Sequence, residues 1–205
     1  MSEPRALVFR GLDGWRAEYA DVWLRDGRMV ARGVQIGVDP FAYEARYSLD
    51  TSPGYDTAHL SVNASGAGWS RHLDLRRDSA GAWDISVGMS GEVDLPDAGG
   101  NAAAFDGARD CDLQGSPLTN TMPVLRERLL EGGVPVDFVM AWVAVPALTV
   151  ERSDQRYEPV GPGRVRYVSL DGDDFKAELE YDEDGLVTFY PDLAERVTGL
   201  SSAPR

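Results

Sequence analysis

Apolar and polar residues alternate with a period of two through most of this chain, and no other feature limits its fold as much. Successive side chains of a strand point to opposite faces, so such alternation marks strands with one face buried. The first half reads this way over 15–24, 29–38, 43–49, 58–62, 69–75 and 83–87. The second half does so over 108–113, 138–145, 148–152, 155–159, 164–170, 175–181 and 186–190. Trp15, Ala17, Tyr19 and Trp23 share one face, as do Val34, Ile36 and Val38, and then Tyr43, Ala45, Tyr47 and Leu49. Asp26-Gly27, Asp78-Ser79-Ala80-Gly81 and Asp182-Glu183-Asp184-Gly185 supply turn residues between consecutive runs.

One segment breaks the pattern. Pro123, Val124, Leu125, Leu129 and Leu130 form an apolar stripe at helical spacing, which predicts a helix over 122–131. Asn120 or Thr121 would cap it, Pro123 suits its first turn, and Gly132 suits a left-handed stop. Residues 94–104 read as a loop or crossover, 191–197 as a short terminal helix, and 201–205 as a frayed tail. About a dozen strands with one main helix give an all-β, β-dominated fold, a continuous antiparallel roll or barrel. No internal repeat of fixed period and no shift in composition divides the chain, so a single domain over 1–205, with its core at about 7–197, is expected.

Composition excludes more than it names. Twenty Lys and Arg stand against 34 Asp and Glu, a net charge of −14. That balance disfavours nucleic acid, which needs a basic patch, and docking on anionic lipid through a polybasic segment. A single cysteine forms no internal disulfide, and no Cys/His spacing matches zinc. The start lacks the charged and apolar regions of a signal peptide, and no apolar run reaches the roughly 18–20 residues of a membrane span. A cytoplasmic chain with no stable membrane insertion is expected.

Sites of chemistry are sparse. His59 and His72 lie in different strands with no nucleophile at a diagnostic spacing, and no nucleophile elbow is present. Asp171-Gly172-Asp173-Asp174 lacks the later ligands of a calcium loop. Cys111 reads as a small core residue. No metal and no cofactor are expected. The five tryptophans and eight tyrosines fall largely in strands, as core or as the wall of a cavity. Residues 110–130 are the most unusual: a strand carrying Asp110 and Asp112 on one face enters a two-proline turn, and Arg126 follows on the helix. Arg126 can face either aspartate or an anionic head group, and Asn120 can satisfy the helix entrance.

That segment carries a resemblance. Asp110-x-Asp112-Leu113, followed by Ser116-Pro117-x-Thr119-Asn120-Thr121-x-Pro123-x-x-Arg126, resembles the signature of a bacterial glycolipid-binding family once catalogued as a domain of unknown function. Trp15, Glu18, Trp69, Arg71, Trp83, Trp142, Gln155, Tyr157, Tyr167 and the run 184–191 follow in matching order. The resemblance implies a spiral β-roll, a strongly curved sheet wrapped around a helix, similar in shape to carriers of lipoproteins and envelope lipids. It implies an amphipathic small molecule or glycolipid as partner, held without catalysis between the concave sheet and the helix. Trp15, Trp69, Asn120, Arg126, Trp142, Tyr167 and Tyr190 are the candidate ligand-binding residues on that reading. A second reading is an enzyme for a small apolar or sugar-containing substrate, with Asp110, Asp112 and Arg126 as its polar machinery. It requires both aspartates to open into one pocket. A third is a dimerising module, which an exposed aromatic patch on the outer sheet would favour.

Overall fold

A computed structural model describes residues 4–198. Seven strands form an antiparallel meander: β1 (Arg5–Gly11), β2 (Arg16–Arg25), β3 (Arg28–Gly37), β4 (Tyr43–Thr51), β5 (Thr57–Gly66), β6 (Trp69–Arg77) and β7 (Trp83–Gly91). After a two-residue strand β8 (Gly99–Gly100) and a 3-10 turn come β9 (Asp110–Leu113) and the helix α1 (Thr121–Arg126). A second meander follows: β10 (Val136–Val143), β11 (Thr149–Gly161), β12 (Arg164–Ser169), β13 (Lys176–Tyr181), β14 (Val187–Tyr190) and β15 (Ala194–Arg196). β15 pairs with β1, so the two meanders join edge to edge into one 15-stranded sheet that starts at β7 and ends at β9. The sheet is mixed rather than wholly antiparallel, because β9 runs parallel to β10 and β8 parallel to β11.

The sheet curls without closing into a barrel. Its last strand returns to the first half: Thr57 N donates to Arg109 O at 2.9 Å, and Cys111 N donates to Thr57 Oγ1 at 3.0 Å. Small residues permit this curvature on the inner face. Gly33, Gly37 and Gly66 sit directly across the ladder from Tyr47, Tyr43 and Trp69, whose rings occupy the space a Cβ would take. A Cβ at Gly33 would lie 2.4 Å from the Tyr47 ring. Gly33→Val therefore displaces a buried ring and is expected to cost about 1–3 kcal/mol, seen as a lower urea midpoint.

The alternation locates β2 and β3, but their inward faces are the reverse of the apolar sets. Glu18, Ala20 and Val22 point inward from β2, and Met29, Ala31 and Gln35 from β3. Tyr19, Ile36 and Val38 are exposed, whereas the Tyr43, Ala45, Tyr47 and Leu49 face of β4 is the inner one. The inward set of β2 and β3 joins Ala20, Val22, Met29 and Ala31 to two polar residues, Glu18 and Gln35, which face each other across the ladder.

The helix is shorter than its stripe. α1 spans six residues between a 3-10 turn at Pro117–Asn120 and another at Leu129–Glu131, and the chain turns at Arg128, which has φ 55°. Leu118 and Met122 pack in one core cluster with Leu49, Leu60, Leu73 and Leu75. Val124 and Leu129 pack in a second with Tyr157, Tyr167 and Leu179. The terminal helix expected over 191–197 is instead a turn and the strand β15. An isolated helix that short is marginal, whereas a strand there pairs with both β1 and β14. Arg196 secures it by donating to Leu186 O at 2.7 Å and Asp182 Oδ2 at 2.7 Å. The tail 201–205 lies outside the described residues.

Candidate functional site

Residues 115–124 are all buried, although the stretch contains Ser116, Thr119, Asn120 and Thr121. Buried polar groups require partners, and this turn finds them far along the chain. The Asp112 carboxylate accepts from Thr119 Oγ1 and from Gln155 Nε2, each at 2.8 Å. The Tyr157 hydroxyl donates to Gln155 Oε1 at 3.2 Å and accepts from Asn120 Nδ2 at 2.8 Å. Asn120 stands at the N-cap of α1 but its side chain makes no cap bond; its amide is committed to this relay from β9 to β11.

Beside the relay is a cleft of about 200 Å³. Trp142, Tyr167 and Tyr190 contribute aromatic surface, and Asp112, Gln114, Ser116 and Asn120 contribute polar atoms or backbone. The aromatic wall is braced by its neighbours. Tyr157 meets Tyr167 edge-on at 5.6 Å, and Phe175 stacks on Tyr190 at 6.4 Å. Burial pushes the Asp112 carboxyl up, against the opposing hydrogen bonds from Gln155 and Thr119. Burial also pushes the Tyr167 and Tyr190 phenols up, so both stay neutral. An apolar plane beside a carboxylate and an amide can receive a molecule with one apolar face and several hydroxyls.

Four of the seven residues singled out in the sequence line this cleft: Asn120, Trp142, Tyr167 and Tyr190. The other three are elsewhere. Trp15 is 64% exposed, in the β1–β2 loop beside a separate cleft with Arg16 and Tyr43. Trp69 is buried in the core, its ring occupying the space beside Gly66. Arg126 is locked in a bidentate bridge, Nη1 to Asp110 Oδ1 at 2.7 Å and Nη2 to Asp110 Oδ2 at 2.6 Å. That bridge lies beside a third cleft, so Asp110 and Asp112 do not open into one pocket and the enzymatic reading loses the geometry it requires. The space between helix and concave sheet is filled by the core side chains already named, which moves the candidate site to the flank of the helix.

Sequence reasoning missed a further buried carboxyl. Glu18 is 2% exposed on the inner face of β2. Its Oε1 accepts from Ser116 Oγ at 2.7 Å and from the Tyr47 hydroxyl. Gln35 lies directly across the ladder, and Glu18 Oε2 and Gln35 Oε1 are buried without hydrogen-bond partners. Burial pushes the Glu18 carboxyl up to about 7. Protonation turns one Glu18 oxygen from an acceptor into a donor and so removes an unpaired buried acceptor. The signal was available in the sequence: Glu18 is the only ionisable residue in the set Glu18, Ala20, Val22, once that set is recognised as the inward one.

The remaining candidates have structural partners. Asp74 lies between the two histidines on the outer face, 2.6 Å from His59 Nε2 and 3.3 Å from His72 Nε2, and Arg76 bonds it at 2.7 Å. Among the described residues, no group of three or more His, Cys, Asp or Glu is arranged to hold a metal ion. Asp171 accepts from Ser153 Oγ and Asp154 N, and Asp182 from the amides of Asp184 and Leu186, as turn staples do. Burial pushes the Cys111 thiol up to about 12, which leaves it inert.

The pattern that defines a family described as "Putative glycolipid-binding" matches residues 6–196. The chain belongs to that family. A crystal structure of a DUF1089 family protein from Pseudomonas aeruginosa is similar to it, with 29% identity and a TM-score of 0.68. The similarity covers 88% of this chain and 92% of that one. No curated protein matches the chain. For this family member the curved sheet is the common scaffold, and the cleft at Trp142 is the feature to which a ligand reading attaches.

Proposed function

We propose that the protein binds the saccharide head group of a glycolipid in the cleft formed by Trp142, Tyr167 and Tyr190, without catalysing a reaction. The observation that carries this reading is the joint presence of those rings and Asp112 and Asn120 around one cleft of about 200 Å³. Aromatic faces take the apolar C–H surfaces of a sugar, and buried acceptors take its hydroxyls. The family description supports the ligand class. The cleft is smaller than the roughly 300–1,000 Å³ that holds a drug-sized molecule. It suits a head group, and the packed core beneath the helix suits no acyl chain.

Calorimetric titration with octyl glucoside and octyl galactoside below their micellar concentrations tests this. Wild type is expected to bind at least one of them, and Trp142→Ala to bind about tenfold more weakly, the effect of losing one aromatic contact of roughly 1.4 kcal/mol. Absence of binding to both glycosides, or equal binding by Trp142→Ala, overturns the reading.

A further inference from the structure

Three loops share a sequence pattern that strand register places at one end of the roll. Leu12-Asp13-Gly14-Trp15, Val38-Asp39-Pro40-Phe41 and Leu170-Asp171-Gly172-Asp173-Asp174-Phe175 each set an aliphatic and an aromatic residue on either side of an aspartate turn. They connect β1 to β2, β3 to β4 and β12 to β13. In an antiparallel meander alternate connections fall at the same end, and β1 pairs antiparallel with β15, which extends this relation into the second meander. All six apolar residues are exposed, from 36% for Phe175 to 64% for Trp15. At the opposite end, the loops at 26–27, 52–56, 78–82, 162–163 and 182–186 contain no large apolar residue that exposed; Val134 is there, in the segment entering β10. The cleft reaches the apolar end, since Gln114, Ser116 and Leu193 of its lining lie in connections there.

We infer that this rim docks on an uncharged lipid surface, with the Leu12, Trp15, Val38, Phe41, Leu170 and Phe175 side chains entering the interfacial layer. The inference rests on the head-group reading for the purpose of docking. The cleft holds a head group only, so the acyl chains of a bound glycolipid remain in their membrane and the protein must approach that membrane with the cleft mouth. Tryptophan and other amphipathic rings favour the interface between head groups and hydrocarbon. The three loops contain five aspartates and no lysine or arginine. A protein interface is depleted of charge at its core, whereas carboxylates flanking apolar tips remain hydrated in a head-group layer. The same aspartates repel an anionic surface, so the surface is zwitterionic or glycosylated. Among the described residues no helix is long and apolar enough to cross a membrane, and the docking is peripheral.

Flotation with phosphatidylcholine vesicles, with and without galactosyl diacylglycerol, tests the docking. Wild type is expected to float with both, more strongly with the glycolipid. Trp15→Ser/Phe41→Ser/Leu170→Ser is expected to partition at least tenfold less while binding octyl galactoside as wild type does. Val134→Ser, at the other end, is expected to float as wild type. Equal flotation of the triple variant and wild type, flotation only with phosphatidylglycerol vesicles, or a dimer in sedimentation that the triple variant dissolves each overturns the docking. Glycoside binding without flotation refutes the docking and leaves the cleft reading intact; flotation without glycoside binding refutes the cleft reading.

Discussion

Arg126→Leu is expected to destabilise the fold by about 3–5 kcal/mol, the range for removing one partner of a buried ion pair. The Arg126 side chain is 5% exposed and that of Asp110 is 1% exposed. Both Asp110 oxygens accept from the guanidinium, whose Nε is also 3.1 Å from Glu127 and whose Cζ is 5.5 Å from the Phe138 ring centre. Burial pushes the Asp110 carboxyl up, opposed by its bonds to Arg126. Without the guanidinium that carboxylate is stranded at the junction of β9 and β10. Removing both charges restores a neutral site, so Asp110→Leu/Arg126→Leu is expected to recover most of the loss. Urea unfolding at pH 7 measures both variants. A loss under about 1 kcal/mol for the single variant, or a double variant no better than the single one, would show that the bridge does not hold this junction.

Glu18→Gln is expected to stabilise the protein above pH 7 and to leave it unchanged near pH 4. The Glu18 carboxyl titrates at about 7 in the folded chain against 4.5 for the ordinary group, through burial. Below pH 4.5 the group is protonated in both states and its contribution is fully retained. Between pH 4.5 and 7 the unfolded chain releases the proton while the folded chain keeps it, so stability falls as pH rises. A difference of about 2.5 units corresponds to about 3 kcal/mol. Glutamine retains an acceptor for Ser116 and Tyr47 and offers an amide donor to the unpartnered Gln35 Oε1. Urea midpoints of wild type and Glu18→Gln from pH 4 to 8 should therefore diverge across that window. Asp110 and Asp112, whose carboxyls burial also raises, titrate in both proteins and cancel from the difference. Parallel curves would mean that Glu18 is ionised in the folded chain throughout.

These two carboxyls also mark how far the chain could be read in advance. Asp110, Asp112, Asn120 and Arg126 drew notice because their local pattern is unusual, and all four make consequential side-chain bonds. Their division was not legible. Arg126 binds Asp110, and Asp112 binds Thr119 and Gln155, because the backbone turn after Leu113 sends α1 back past the start of β9. Trp15 and Trp69 have the same residue type as Trp142, yet one is on a loop tip and one fills the space beside Gly66. Aromatic identity alone does not distinguish a wall, a tip and a core plug.

The sequence by itself determined the strand content, the turns at Asp26-Gly27, Asp78–Gly81 and Asp182–Gly185, the position of the break before Thr121, and the family. Each follows from periodicity, turn chemistry or an ordered motif, which depend on residues near one another in the chain. Tertiary structure alone decided which face of β2 and β3 turns inward and which segment pairs with the exposed edge of β1. It also decided that Ser116 meets Glu18 across 98 residues of chain. The physical reason is curvature. Alternation divides a strand into two faces without assigning them, and the assignment waits on how the sheet curls, with the glycines under Tyr47, Tyr43 and Trp69 leaving room for those rings.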